Sequence, residues 1–565
     1  MDNHSVAETA KTIRCLSMDA IQKANSGHPG LPLGCAELGA LLYGEFLRHD
    51  PASPAWLNRD RFVLSAGHGS IFLYSLLHLA GYNISLDDIK TFRQLGSKCA
   101  GHPEYGMAPG IETTTGPLGQ GIANAVGMAM AETMMAARFN TKAHKIVDHC
   151  TYVLAGDGCL QEGVAAEAAS LAGHLKLGKL IVFYDDNAIT IDGKTDLTFT
   201  EDVAARFKAY GWQVAKGDMY DLDGMRSLVA AAKADGSRPS LIMLRSVIGK
   251  GAPTMQGSHK THGAPLGVEE IAKAKQAMGI PADALFPVLP EAVAFFKKRQ
   301  VELAAAHANW ERLYDQWRSA EPALAKELDA ALAGKPVSVP AWPSFTAGEQ
   351  IATRNASGKA ILAVGSAWPQ FVGGSADLTG PNVTQLAGEP YSSGNRIGQM
   401  VHYGVREHAM ASISNGLALY GGLRPFCATF LVFADYLRPA LRLAALMKLP
   451  VIYVLTHDSV YIGEDGPTHQ PVEHLASLRA IPNVRVLRPA DAEETVEAWS
   501  MAMERTDGPT VIALTRQNLP VLEKADKEWR ETIRTGAYVV RNTPDAPDVV
   551  VLASGSEVDL ALRAA

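Results

Sequence analysis

The sequence predicts an α/β protein with at least two parallel-sheet domains, and three observations predict it. Short apolar runs alternate with long helical stretches, the pattern of βαβ units whose strands lie parallel. A proline-rich segment, GKPVSVPAWPSF (334–345), divides that alternation in two. At 565 residues the chain is also too long for a single core.

In the first half the strand candidates are RFVLSAG (61–67), TYVLAGDG (151–158), KLIVFYDDN (179–187) and SLIMLRSV (240–247). A charged helical stretch centred on AAAHANWERLYDQWRSA closes this half, giving a domain over 1–330 and a linker over 331–345. The second half, 346–530, offers FVGGSAD (371–377), MVHYGV (400–405), PVIYVLTHD (450–458), VRVLRPA (484–490) and TVIALTR (510–516). Residues 531–565 contain one more strand candidate, DVVVLASGS (548–556), followed by VDLALRAA. A unit of under about 40 residues rarely folds alone. It is the truncated start of a third α/β domain, or it packs on the second.

Composition narrows the function. Apolar residues make up 47% and charged residues 20%, as in an ordinary soluble globular protein. A net charge of −7 with no basic patch argues against nucleic acid. The most apolar run, LAALMKLPVIYVL, is broken by Lys448 and Pro450, so no membrane span is expected. MDNHSVAETAKTIR has no apolar core of a secretory signal. Six cysteines without a CxxC pair fit reduced thiols in the cytoplasm.

The chemistry begins at LAGDGCLQEG (154–163). A glycine turn after a strand suits phosphate, because bare N–H groups approach it closely. Asp157, between Gly156 and Gly158, would repel phosphate. Asn187 follows 30 residues later at the end of the next strand, the span of one βαβ unit. Right-handed crossover makes the strands parallel, so both residues reach the C-terminal edge, where open α/β sheets bind ligands. Paired Asp and Asn oxygens suit a hard cation such as Mg²⁺ or Ca²⁺, and such an ion lets carboxylate and diphosphate share one turn. A lone GDG is more often a plain turn with a helix N-cap aspartate.

GDG, thirty residues, then Asn is the motif of thiamine diphosphate enzymes. GDGCLQEG with YDDNAITIDG, SGHPGLPLG (26–34), TTTGPLGQG (113–121), THGAPLG (261–267), GVREHAM (404–410), GEDGPTHQP (463–471) and TRQNLP (515–520) together resemble the transketolase family, in order along the chain. The resemblance implies a diphosphate-binding domain, a pyrimidine-binding domain and the start of a C-terminal domain. It implies an obligate homodimer with active sites at the subunit interface. The expected activity is transfer of a two-carbon ketol unit, held as a carbanion/enamine on thiamine diphosphate, from xylulose 5-phosphate to ribose 5-phosphate or erythrose 4-phosphate. Such chemistry serves the pentose phosphate pathway or the Calvin cycle.

By resemblance, Asp157, Asn187 and the Ile189 carbonyl hold the metal. Gly156, Gly158, Glu162 and His68 join the cofactor contacts, and Gly116, Pro117 and Leu118 form the loop under its thiazolium. Glu407 hydrogen-bonds the aminopyrimidine and promotes its imino tautomer. Phe430, Phe433 and Tyr436, at helical spacing, form the ring pocket, though such aromatics are usually core. His28, His68, His102, His262 and His469 line the channel, with His262 at the ketose C3 hydroxyl and His102 and His469 at other substrate hydroxyls. Arg354, Arg516 and His457 match phosphate contacts, and Asp465 accepts from a sugar hydroxyl. Two positions depart from the family pattern: Pro381 stands where a phosphate-binding serine is common, and Tyr461 where a small residue is usual. They leave the acceptor open. A dihydroxyacetone synthase fits them as a rival, and the short third region motivates a non-catalytic relative. The GDGCLQEG and GPTHQP runs argue against a deoxyxylulose-phosphate synthase.

Overall fold

The computed structural model describes residues 2–565. They fall into two compact units, residues up to Leu324 and Ala325–Ala565. The first unit carries strands β1 (Arg61–Leu64), β2 (Thr151–Gly156), β3 (Leu180–Asp186), β4 (Gln213–Asp218) and β5 (Ser240–Arg245), in the order β1-β2-β3-β5-β4. All pair in parallel. The apolar residues of β2 and β3 are buried without alternation, as expected of strands covered on both faces. The register sets Gly156 opposite Asp185, so the residues that follow β2 and β3 leave the same edge of the sheet.

In the second unit β7 (Phe371–Ser375), β8 (Arg424–Phe430), β9 (Ile452–Thr456), β10 (Arg485–Leu487) and β11 (Thr510–Leu514) form a parallel sheet in the order β10-β11-β9-β8-β7. Strands β6 (Gln350–Ala352) and β12 (Asn518–Pro520) form a separate antiparallel pair. Phe371 and Phe426 stack at 4.8 Å, with Trp499 edge-on to both. The Trp499 indole N–H donates to Ser357 Oγ at 2.9 Å, so Trp499 itself is buried with its donor used.

Several sequence expectations are corrected. β4 and β8 were not anticipated: QVAKGD is a polar edge strand, and RPFCATF opens on Arg and Pro. Nη2 of the buried Arg424 donates to the Ala502 and Arg505 carbonyls. MVHYGV is not a strand. It runs close to β7, where a Cβ on Gly374 would meet the Val401 carbonyl oxygen at 2.0 Å, but only Met400 forms a bridge, with Gly373. The stretch after Asp157 is two helices, Asp157–Gln161 and Gly163–His174, broken at an extended Glu162. DVVVLASGS is irregular. No strand of the described residues stands beside it to take its backbone hydrogen bonds, and Val549 to Leu552 are exposed. The segment around it belongs to the second unit and packs within it. Val558, Val540 and Leu562 cluster with Ala490 and Leu522, and Arg488 pairs with both Asp458 and Glu557.

Candidate active site

Asp157 is the first residue of its short helix, but its side chain does not cap it; Gly156 holds the cap position. The N-cap role is therefore excluded. Asp157 Oδ1 accepts a hydrogen bond from the Tyr184 hydroxyl at 2.5 Å. Oδ2 is buried with no protein partner. Burial, opposed by the Tyr184 hydrogen bond and reinforced by the neighbouring Asp185 and Asp186, pushes the Asp157 carboxyl up to about 7. Asn187 Nδ2 donates to Asp185 Oδ2 at 2.9 Å, which fixes the amide with its oxygen on the loop side. That oxygen accepts the Ile189 N–H at 2.9 Å, across an Ala188 in the left-handed region (φ 60°). The buried Asp185 also accepts from the Ser246 hydroxyl.

This oxygen-rich corner fits a hard divalent cation. An orphaned buried carboxylate oxygen is costly unless something pairs with it, and a cation would also relieve the crowding of carboxylates. A Cβ on Gly156 would meet nothing within 4 Å, and one on Gly158 would come within 2.8 Å of Leu118 Cδ1. The turn therefore leaves bare backbone open on one side and tight against the Leu118 loop on the other.

The raised Asp157 value predicts a pH effect. Folded, metal-free protein keeps a proton that the unfolded chain, at the ordinary value of 3.8, gives up. The group's stabilising contribution is full below the unfolded value and is lost as pH rises through about 7. A divalent cation takes the proton's place, so the rise in melting temperature on adding Mg²⁺ should grow between about pH 6 and pH 8. Melting with Mg²⁺ or with a chelator across that window measures it; a flat increment would contradict the site.

Four histidines gather in the same unit. His28 lies 5.3 Å from His68, 6.0 Å from His102 and 5.8 Å from His262, ring centre to ring centre. His68 and His262 stack at 5.0 Å. His68 sits in the turn Gly67–Gly69 just past the end of β1, near the same sheet edge. Burial lowers all four below the ordinary imidazole value, His28 to about 4. The cluster is therefore neutral at pH 7, able to donate from one ring nitrogen and accept at the other. Gly116, at φ 135°, faces His102 so closely that a Cβ would lie 3.1 Å from its ring. Pro117 and Leu118 continue that loop. Glu162 is exposed at the break between the two helices.

The second unit holds the other candidates. Glu407 is the first residue of helix Glu407–Tyr420, half-buried, and burial raises its carboxyl above the ordinary glutamate range. Phe430, Phe433 and Tyr436 do not share one helix. Phe430 ends β8, Phe433 lies in a tight turn and Tyr436 in helix Ala434–Leu446. Tyr436 is 63% exposed, so it is not a core residue. Phe430 stacks on His457 at 3.7 Å, and His469 lies edge-on to Phe433 at 5.2 Å. Burial, then Arg354, holds His457 at about 4. Arg516 pairs with Glu464, next to the exposed Asp465. Arg354 donates to the Pro381 carbonyl at 2.8 Å. The departure at 381 thus sits directly on one of the expected phosphate contacts. Tyr461 is 51% exposed.

Sequence reasoning missed Tyr184, Asp185 and Ser246 around the metal corner. The available signal was the polar run YDDN closing an otherwise apolar strand.

In the first unit, a metal-ready carboxylate in a glycine turn beside one sheet edge and a neutral histidine cluster fit an enzyme that binds a diphosphate cofactor through a divalent cation. The family description "Transketolase, thiamine diphosphate binding domain" matches residues 5–336, and "Transketolase, pyrimidine binding domain" matches 349–521. A transketolase of Treponema pallidum is 59% identical over 572 residues, covering 100% of this chain and 86% of that protein. One from Halalkalibacterium halodurans is 51% identical, covering 100% and 85%. Among solved structures, transketolase from Leishmania mexicana superposes with a TM-score of 0.95 at 46% identity, covering 99% of this chain and 83% of that one. A Pichia stipitis transketolase complexed with sedoheptulose 7-phosphate gives 0.95 at 44%, covering 99% and 84%. The chain belongs to the transketolase family. It uses thiamine diphosphate with a divalent cation and transfers a two-carbon ketol unit between sugar phosphates.

Proposed function

We propose the following division of labour for that reaction. Asp157, Asn187 and the Ile189 carbonyl bind Mg²⁺ or Ca²⁺, and the bare backbone around Gly156 and Gly158 takes the diphosphate, with Glu162 and His68 completing the contacts. Gly116, Pro117 and Leu118 support the thiazolium; Phe430, Phe433 and Tyr436 form the ring pocket. Bound there, thiamine diphosphate supplies the electron sink for breaking the ketose C2–C3 bond. Glu407 holds a proton at its carboxyl and offers it to the aminopyrimidine. His262 takes up the proton of the sugar C3 hydroxyl. His28, His102 and His469 orient the other hydroxyls, Asp465 accepts from one, and Arg354, Arg516 and His457 bind the phosphate. Residues 1–330 form the diphosphate-binding domain, 346–530 the pyrimidine-binding domain and 531–565 the start of a C-terminal domain.

The observation that carries this reading is the buried, unpartnered Oδ2 of Asp157 at the sheet edge that Asn187, its amide fixed by Asp185, also leaves. Xylulose 5-phosphate is the proposed donor and ribose 5-phosphate or erythrose 4-phosphate the acceptor. The test is donor cleavage with thiamine diphosphate and Mg²⁺. Glyceraldehyde 3-phosphate should appear chiefly when ribose 5-phosphate is present. Product formed equally without acceptor, or none despite cofactor binding seen by calorimetry, would overturn this choice of substrates.

We also propose a homodimer whose sites each draw one half from each subunit. A hybrid of Asp157→Ala and Glu407→Gln chains should then regain turnover, because one of its two sites carries neither change. Hybrids as inactive as the parents would place each site within one chain. Among the described residues no helix is long and apolar enough to cross a membrane. All six cysteines are unpaired, which supports a reducing, cytoplasmic setting.

A further inference from the structure

Arg93 stands beside the histidine cluster without a carboxylate partner. Its backbone is left-handed (φ 61°), and its N–H donates to the Cys99 carbonyl at 2.9 Å. Its guanidinium ties two histidine loops together. Nη1 donates to Ser26 Oγ at 3.0 Å, two residues before His28. Nη2 donates to the Gly101 carbonyl at 3.2 Å, one residue before His102. Nη2 also lies 3.1 Å from His28 Nδ1.

That last contact has only one chemical solution. A guanidinium has donors and no acceptor, so Nδ1 of His28 must carry a lone pair. A neutral ring with a bare Nδ1 carries its proton on Nε2. An imidazolium would set N–H against N–H and cation against cation. The titratable groups that act on His28 are Arg93, His262 and His102, with His68 edge-on to its ring; none is a carboxylate that could favour the charged form. The Nε2 edge lies beside Gly263, where a Cβ would come within 3.5 Å of Nε2, so the glycine leaves that edge uncrowded.

We propose that Arg93 is a positioning residue that locks His28 in the neutral Nε2–H form, so that His28 presents a hydrogen-bond donor to the sugar. The consequence for turnover rests on the channel role given to His28 above; the tautomer does not.

Nitrogen NMR of the holoenzyme labelled with ¹⁵N-histidine tests it, with His28→Asn identifying the His28 signals. Wild type should show a bare Nδ1 and a protonated Nε2 across about pH 5.5 to 8.5. In Arg93→Met the two tautomers should mix, and His28 should begin to protonate nearer its ordinary value. The acid limb of kcat/KM should then move up by about one pH unit, with kcat/KM at neutral pH falling on the order of tenfold. Arg93→Lys, which keeps a donor-only cation, should recover the wild-type tautomer and most of the activity, separating positioning from a folding defect. A protonated Nδ1 in wild type, or nitrogen signals and a pH profile unchanged in Arg93→Met, would overturn the inference. Unchanged turnover in His28→Asn would instead remove His28 from the channel and leave the Arg93 assignment to be decided by the spectrum.

Discussion

Glu407→Gln should bind thiamine diphosphate nearly as well as wild type and turn over about 10² to 10⁴ times more slowly. The side chain opens a 14-residue helix and is half-buried, and its burial raises the carboxyl. The helix N-terminus works the other way, favouring the anion. Burial favours the protonated form and the helix end the anion, and a carboxyl raised above the ordinary glutamate range is closer to what general acid–base work requires. Glutamine keeps the volume, the helix position and a hydrogen-bonding end, so fold and cofactor affinity should survive. It cannot exchange a proton. Steady-state kinetics beside calorimetry and thermal melting separate these effects. Near-wild-type turnover would remove Glu407 from proton handling; equal losses of turnover and affinity would make it a binding residue only.

What the sequence made legible follows from periodicity. The thirty-residue interval from Asp157 to Asn187 is one βαβ unit, and the parallel register of β2 and β3 sets both at one sheet edge. Contacts between remote residues carry no such signature. Nothing in the sequence says that the Tyr184 hydroxyl meets Asp157, that Asp185 orients the Asn187 amide, or that Arg93 reaches His28 across 65 residues. The aromatic triplet shows the same limit. Its helical spacing suggests one face, yet a strand end, a tight turn and a helix supply the three rings. MVHYGV and DVVVLASGS are apolar enough for strands, but a strand needs a neighbour to take its hydrogen bonds, and the first makes only a single bridge, Met400 with Gly373, through the Val401 N–H donating to the Gly373 carbonyl. Composition identifies a segment that can pair; the rest of the fold decides whether it does.

Asp157→Ala should lose metal-dependent cofactor binding by on the order of 10²-fold or more, since even groups one step outside a metal's ligands cost 10- to 100-fold. The argument is sharpened by what the same change should do without metal. The carboxylate makes no helix cap, so alanine forfeits no capping energy. It removes a buried group whose ionisation is resisted by burial and by Asp185 and Asp186. Above about pH 7 the metal-free variant should therefore melt no lower than wild type, and the stabilisation by Mg²⁺ should vanish. A residue kept for structure would give the reverse: lower stability with cofactor affinity intact. Tyr184→Phe provides the intermediate case. It deletes the hydrogen bond to Oδ1 while leaving both carboxylate oxygens, so it should weaken metal-dependent binding about 10- to 100-fold. Calorimetry showing unchanged affinity in Asp157→Ala would break the assignment of this carboxylate to the metal.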